Sequence, residues 1–242
     1  MNSDNLVCGV NPVKEALAGD REVFELLVQV SATDHRLESI LKKAHERGIP
    51  VHRREKEALT RLCGSSHHQG VALLVAPFPY CEIDDLLAME GDGFLLVLDG
   101  IQDPHNLGAL IRSAACAGAT GVVLPKDRAC GITPTVEKVS AGAVETIRIA
   151  RVTNIVQTLE QLKSVGYWIH GLAGEAGSSI YSINASGSVA LVIGSEGDGI
   201  RPLVRKQCDV LMSIPQYGGV GSLNAAVAGG IALFEVARKR FS

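Results

Sequence analysis

The sequence predicts an α/β protein in two parts, a small N-terminal α/β domain and a larger domain built on a parallel sheet. Three observations carry this. From Phe94 onward, uninterrupted apolar runs such as Phe94-Leu95-Leu96-Val97-Leu98 and Val189-Ala190-Leu191-Val192-Ile193 alternate with helical stretches. Strands of that kind are buried on both faces, as parallel strands are beneath covering helices. The composition breaks at residues 77–92, which hold Pro77, Pro79, five acidic residues and no Lys or Arg, so they read as a linker between domains at 1–76 and 93–242. Finally, 46% hydrophobic and 20% charged residues over 242 positions supply a packed core and exclude a disordered chain.

In the first domain, Asn11-Pro12 opens a short helix over 13–18, and residues 23–30 form a strand. A helix over 34–47 puts Leu37, Ile40, Leu41 and Ala44 on one face and stops at Gly48. A short strand begins at Val51, a helical turn or two covers 56–63, and residues 69–75 form a buried strand. Five of the seven histidines fall here, but His67-His68 has no Cys or carboxylate at ligand spacing and reads as a surface turn rather than a metal site. Within the linker, Ile83, Leu86 and Leu87 suit a short helix that packs on either domain.

The second domain then alternates regularly. Strands are predicted at 94–99, 121–124, 146–149, 167–171, 189–194 and 210–214, with helices over 103–118, 134–143 and 154–164 and a last helix to about 240. In that last helix Leu223, Ala226, Val227, Gly230, Ile231 and Phe234 share one face, and the helix would be roughly 28 Å long at 1.5 Å per residue. Ser222 and Asn224 fall in its first turn, after the glycine-rich 217–221, with Ser222 the expected cap.

Charge is nearly balanced in both domains: residues 1–76 carry 10 basic and 10 acidic side chains, residues 93–242 carry 13 and 11. No basic face announces a nucleic-acid partner, and none is excluded, because only the local pattern matters. Six scattered cysteines without a Cys-x-x-Cys pair read as reduced thiols of a cytoplasmic protein. No apolar run reaches membrane-span length and the first residues lack a signal-peptide pattern.

Sheets of this type place ligands at the loops that follow their strands. After the strand at 94–99, Gln102-Asp103-Pro104-His105-Asn106 opens a helix that carries Arg112 two turns in; His105 and Arg112 share a face and Asn106 lies off it, suited to pairing with backbone. After the strand at 189–194 comes Gly194-Ser195-Glu196-Gly197-Asp198-Gly199, whose glycine order is not that of a dinucleotide fingerprint. After the strand at 210–214 comes Ser222-Leu223-Asn224. The sequence has no P-loop, H-E-x-x-H or G-x-S-x-G motif.

Together, residues 98–109 with Arg112-Ser113-Ala114, residues 191–197, and Ile214-Pro215 with Ser222-Leu223-Asn224 closely resemble the three motifs of the SpoU/TrmH group of SPOUT-class RNA 2′-O-ribose methyltransferases. The resemblance covers the whole chain, and residues 1–76, ending in His68-Gln69-Gly70-Val71, look like that group's L30e-like RNA substrate-binding domain. Within the group it is nearest to enzymes that methylate a guanosine ribose in 23S ribosomal RNA. The resemblance implies a parallel-sheet domain with a C-terminal trefoil knot, a path that chain physics alone argues against. It implies S-adenosyl-L-methionine as methyl donor and no metal. Leu172, Ala173, Gly174, Gly194, Glu196, Ile214 and Leu223 would hold the cofactor, with Glu175 beside them. Arg112, Asn106, Glu196, Ser222 and Asn224 would form the catalytic group, and the last helix would face a second copy of the chain in a homodimer.

The chemistry fits those residue types. A ribose hydroxyl is a weak nucleophile, so transfer needs in-line orientation and help with a proton. Arg112, as a guanidinium with a pKa of about 12.5–13.8, is better suited to anchoring phosphate and stabilising alkoxide charge than to acting as a base. Glu196 is open to two roles, proton acceptor or brace of the glycine turn. A structural Arg112 would instead be tied to Asp99 or Glu196. Three other functions are weighed: 2′-O-methylation of tRNA, a non-enzymatic ribosomal-RNA binder that uses the small domain alone, and a nucleotide-dependent oxidoreductase. The last is disfavoured by the glycine order. Arg53, Arg54 and the His67-His68 turn are the candidate RNA contacts of the small domain.

Overall fold

The computed structural model describes residues 5–19, 21–30, 35–218 and 221–241. The expectations that fall on residues 1–4, Asp34, Gly219 and Val220 lie outside the described residues. The chain divides into two compact units, one formed by Met1–Pro79 with Ile132–Thr146, the other by Tyr80–Gly131 with Ile147–Ser242. This differs from the linear division at 76 and 93. The 134–143 helix, expected in the second domain, belongs with the first.

The first unit is a four-stranded sheet with helices. Its elements are β1 (Leu6–Cys8), α1 (Val10–Ala18), β2 (Val23–Gln29), α2 (His35–Glu46), β3 (Val51–Arg54), α3 (Lys56–Cys63) and β4 (Val71–Val75). The sheet order is β1-β4-β2-β3, antiparallel except for the parallel β2–β3 pair. Three-residue β1 has no counterpart in the sequence reading, being too short for any periodicity. Leu26 and Val28 of β2, Val71 and Leu73 of β4, Val13 and Leu17 of α1 and Leu37, Ile40 and Ala44 of α2 close one core. The late segment joins this unit through charge. Arg21, 5% exposed, donates from Nη1 to Glu137 Oε1 at 2.6 Å and to Glu145 Oε1 at 3.2 Å, and from Nε to the Ala76 carbonyl at 2.8 Å. Gly142, at φ +90°, passes so close to Glu15 that a Cβ there would meet its Cγ at 2.2 Å.

His68 corrects the surface-turn expectation. It is 2% exposed, its Nδ1 accepts from the Gly70 N–H at 3.0 Å, and its Nε2 lies 3.1 Å from Thr60 Oγ1. His67 is exposed. Among the described residues no cluster of three or more His, Cys, Asp or Glu could hold a metal, and no helix is long and apolar enough to cross a membrane.

In the second unit, the acidic stretch is folded: α4 (Ile83–Leu87) buries Leu86 against the sheet, and the Cys81 N–H bonds the Ile149 carbonyl at 3.0 Å. There follow β5 (Phe94–Asp99), α5 (Pro104–Cys116), β6 (Gly121–Pro125), α6 (Pro134–Val139, in the first unit), β7 (Arg148–Val152), α7 (Ile155–Ser164), β8 (Trp168–Leu172), β9 (Ser178–Ser179), β10 (Val189–Gly194), α8 (Pro202–Arg205), β11 (Val210–Ser213) and α9 (Ala225–Phe241). The seven strands are all parallel, in the order β7-β6-β5-β10-β8-β11-β9. Every residue of β5 and of β10 is buried, as the continuous apolar runs require. β10 enters between β5 and β8, β11 lies beyond β8, and α9 returns across the sheet to α5 and β10.

α9 departs from the expected helix in two ways. It starts at Ala225, so Ser222 and Leu223 precede it, and Asn224 is the cap: its Oδ1 accepts from the N–H groups of Ala226 at 2.9 Å and Val227 at 3.2 Å. Its packed face is Ala225, Gly229, Ala232, Leu233 and Val236, whereas Leu223, Val227 and Phe234 remain 40%, 52% and 51% exposed. A Cβ on Gly229 would lie 2.3 Å from Leu110 Cδ2, so that glycine sets the close approach of α9 to α5.

Two buried imidazoles make stability depend on pH. His170, 1% exposed, places Nε2 3.1 Å from the Asn184 carbonyl, which can only accept, while its Nδ1 has no partner among the described residues. In His68 the Gly70 N–H occupies Nδ1. Neither ring has a place for a second proton, and burial holds both below the ordinary 6.5. Below about pH 6.5 the unfolded chain binds more protons than the native one, so stability falls as pH falls through that value. The urea midpoint is expected to drop between about pH 7.5 and about pH 5.5, and the drop to shrink in His68→Gln/His170→Gln. A ring titration by NMR that gave both imidazoles ordinary or raised values would refute this account.

Candidate functional site

Because β5, β10, β8 and β11 are parallel, their C-terminal ends lie along one edge of the sheet, and the loops that leave β8, β10 and β11 build one cavity, which Asn106, Arg112 and Asn224 do not line. Leu172, Ala173 and Gly174 come from the end of β8, Gly194, Ser195, Glu196 and Gly199 from the end of β10, and Ile214 and Gln216 from the end of β11. Ser222, Leu223 and Ala225 close it from the approach to α9. All seven residues expected to hold the cofactor line this cavity, as does Ser222. Gln216 and Ala225 also line it, and nothing in the sequence singles them out.

The walls are apolar at Leu172, Ile193, Ile214 and Leu223 and polar at Ser195, Glu196, Gln216 and Ser222. That mixture suits a ligand with a flat base and a charged tail. Gly194 is fixed by packing rather than by its backbone angles. A Cβ there would meet the Gly199 carbonyl carbon at 2.0 Å and Ile200 N at 2.2 Å, so only glycine admits the returning loop. The loop is closed by backbone. Ser195 and Gly199 exchange hydrogen bonds of 3.2 and 3.1 Å, and Gly199 takes φ +65°. The brace of this turn is therefore not the Glu196 side chain.

Glu196 points to α5 instead. Its Oε1 accepts from Asn106 Nδ2, and Asn106 Oδ1 accepts from Asn224 Nδ2 at 3.0 Å. The sequence suggests a backbone partner for Asn106. In the structure it joins two side chains from the other motifs, so residues 106, 196 and 224, far apart in sequence, form one hydrogen-bonded row. Asp103 caps α5 by accepting from the His105 N–H at 3.0 Å, which fixes the start of the helix beneath Asn106.

Arg112 is exposed on α5 and has no ion pair or hydrogen bond among the described residues. Both carboxylates that would have made it structural are engaged elsewhere: Glu196 with Asn106, and Asp99 with Arg201. Sequence reasoning misses the Asp99–Arg201 pair. An acidic residue closing a wholly apolar strand is its signal, but the partner, 102 residues on, has no sequence mark.

A seven-stranded parallel sheet with one loop-built cavity at its C-terminal edge defines an α/β enzyme that takes a small cofactor there. Comparison with known proteins is specific. Residues 93–234 match the SpoU rRNA methylase family, and residues 6–81 match the RNA 2′-O ribose methyltransferase substrate-binding family. The 23S rRNA (guanosine-2′-O-)-methyltransferase RlmB of Xylella fastidiosa strain Temecula1 is 45% identical over 246 residues, covering 99% of each chain. The crystal structure of an AdoMet-bound rRNA methyltransferase from Sinorhizobium meliloti superposes with a TM-score of 0.84 at 26% identity, covering 98% of this chain and 88% of that one. The SpoU methyltransferase AviRb from Streptomyces viridochromogenes shares the fold, with a TM-score of 0.84 at 24% identity over 98% of this chain and 90% of that one. The chain belongs to the SpoU rRNA methylase family.

Proposed function

We propose that this chain transfers the methyl group of S-adenosyl-L-methionine to the 2′-hydroxyl of a guanosine ribose in 23S ribosomal RNA. One observation carries the reading: two of the polar motifs line one cavity, and the third, on α5, is hydrogen-bonded to both through Asn106, which joins Glu196 and Asn224, on the helix that also presents Arg112, unpaired among the described residues. The relatives named for that reaction, at 41–45% identity over nearly the whole chain, support the choice of nucleotide. The six free cysteines support the cytoplasm as its compartment.

When bound, S-adenosylmethionine supplies an electrophilic sulfonium methyl. The chain supplies orientation and charge. Leu172, Ile214 and Leu223 would supply the apolar walls that hold the cofactor, Ala173, Gly174 and Gly194 would offer it backbone, and Ser222 and Glu196 would form the polar side. The Asn106–Asn224 row fixes Glu196, whose Oε2 has no partner among the described residues and is free to accept the hydroxyl proton. Arg112 anchors the adjacent phosphate through its planar fork and offsets the charge that develops on the 2′-oxygen. Methylation of 23S RNA with labelled S-adenosylmethionine tests the whole reading. Arg112→Ala is expected to keep fold and cofactor affinity and to lose at least about 10²-fold in single-turnover rate, with Arg112→Lys a poor rescue. An Arg112→Ala protein that reacts at the wild-type rate but melts lower would leave only a structural role.

The first unit is the RNA-binding part in this reading. β3 is the edge strand of its sheet and all four of its residues, including Arg53 and Arg54, are exposed. In the full chain, Arg53→Ala/Arg54→Ala is expected to raise the KM for RNA and to flatten its salt dependence by about 0.7 log unit for each phosphate no longer neutralised, leaving cofactor binding alone. An unchanged salt slope would remove these arginines from the interface.

Two copies of the chain are proposed to pair through α9. Val227 and Phe234 there are half exposed, as is Leu223, which precedes the helix and lines the cavity, so an apolar stripe is left uncovered. Light scattering at micromolar concentration is expected to give a dimer that Val227→Glu/Phe234→Glu dissociates; a wild-type monomer with full activity contradicts the proposal.

A further inference from the structure

We propose that the ion pair between buried Asp99 and solvent-facing Arg201 is the positioning clamp of the cofactor cavity, holding the loop 195–200 in the shape that binds S-adenosylmethionine. The inference rests on the reading of that cavity as the cofactor site.

Asp99 is the last residue of β5 and lies beside Gly194, the last residue of β10. Its side chain has 0% exposure, and among the described residues its carboxylate is bonded by Arg201 alone. The Arg201 N–H donates to Oδ2 at 2.8 Å and Nε to Oδ1 at 2.7 Å, and Nη2 lies 2.5 Å from Oδ1 in the ion pair. A carboxylate so withdrawn from water persists only with a partner of this quality. The location matters as much as the pairing. The loop between Gly194 and Arg201 puts Ser195, Glu196 and Gly199 into the cavity wall, yet Glu196, Gly197 and Asp198 at its tip are exposed. Burial does not hold that tip. Besides its own Ser195–Gly199 bonds and the Glu196–Asn106 contact, the loop is anchored at its two ends, by strand pairing at Gly194 and by Asp99 at Arg201.

The same segment braces a second wall. Four residues beyond Arg201, Arg205 pairs with Glu175, which follows Gly174. That ion pair is exposed and so contributes little. The two pairs differ in their carboxylates: Glu175 lies in solvent, whereas Asp99 is fully buried and depends on Arg201, so the Asp99–Arg201 pair ties the end of β5 to the segment that leaves β10. A ligand that lands on a preformed loop does not bear the cost of ordering it. Asp99 and Arg201 touch neither cofactor nor RNA in this scheme; they act through the loop.

Equilibrium binding of S-adenosylmethionine to the full chain tests the clamp, beside thermal melting. Asp99→Asn and Arg201→Gln are each expected to raise the dissociation constant at least about tenfold at a temperature where both are folded, and the double variant to lose less than the product of the two. Lys163→Gln, which breaks the Lys163–Asp209 pair at 2.8 Å, is the control: it is expected to lower the melting temperature without moving the dissociation constant. Should Asp99→Asn fail to fold, Arg201→Gln decides, since it keeps the backbone N–H bond to Asp99. A folded single variant with wild-type affinity overturns the clamp while the cavity reading stands. Wild-type protein that binds no S-adenosylmethionine overturns the cavity reading first, and the clamp with it.

Discussion

The insertion of β10 between β5 and β8 is the constraint on which the molecule depends. β10 pairs with β5 over six residues and with β8 over five, so Gly194 is brought level with Asp99 and Ile193 with Leu172. Residues separated by tens of positions in the chain then share one sheet edge. Nothing in the cavity is held in place by the loops alone. The parallel register decides where each loop begins, and complete burial of both central strands makes a slip by one residue prohibitive.

On that frame, small local devices do double duty. Asn224 satisfies the first free N–H groups of α9 with Oδ1 and reaches Asn106 with Nδ2, so one amide both starts the last helix and joins it to α5. Gly194 and Gly229 are two places where backbone must come very near to its surroundings, one under the returning loop and one at the contact of α9 with Leu110 and Ile193. In each the absent side chain is what lets the polar residues nearby converge.

Much of this is legible in the sequence, for identifiable reasons. Strands such as β5 and β10 announce themselves because burial on both faces leaves no polar positions, and the loop motifs stand out because they interrupt those runs. What pairs with what is not legible. All the central strands share one composition, so their order carries no local mark, and the partners of Asp99 and Asn106 lie about a hundred residues away. The orientation of α9 is equally hidden. The helix is apolar on nearly every side, so the stripe at Val227 and Phe234 looks as suited to a core as the face at Ala225, Gly229 and Leu233 that is in fact packed. His68 is misplaced by sequence reasoning because a turn that satisfies both ring nitrogens internally looks, in sequence, like any polar turn.

The excursion at Ile132–Thr146 bears on the ancestry of the architecture. Between β6 and β7 the chain leaves one unit, lends α6 to the other and comes back. The partner carboxylates of buried Arg21, Glu137 and Glu145, are thus encoded inside the stretch that otherwise builds the large sheet. A gene cut once near residue 80 would leave Arg21 on one fragment and both its counter-charges on the other. A change at Arg21 would therefore have to be answered more than a hundred residues away, in a segment carried between two strands of the other unit.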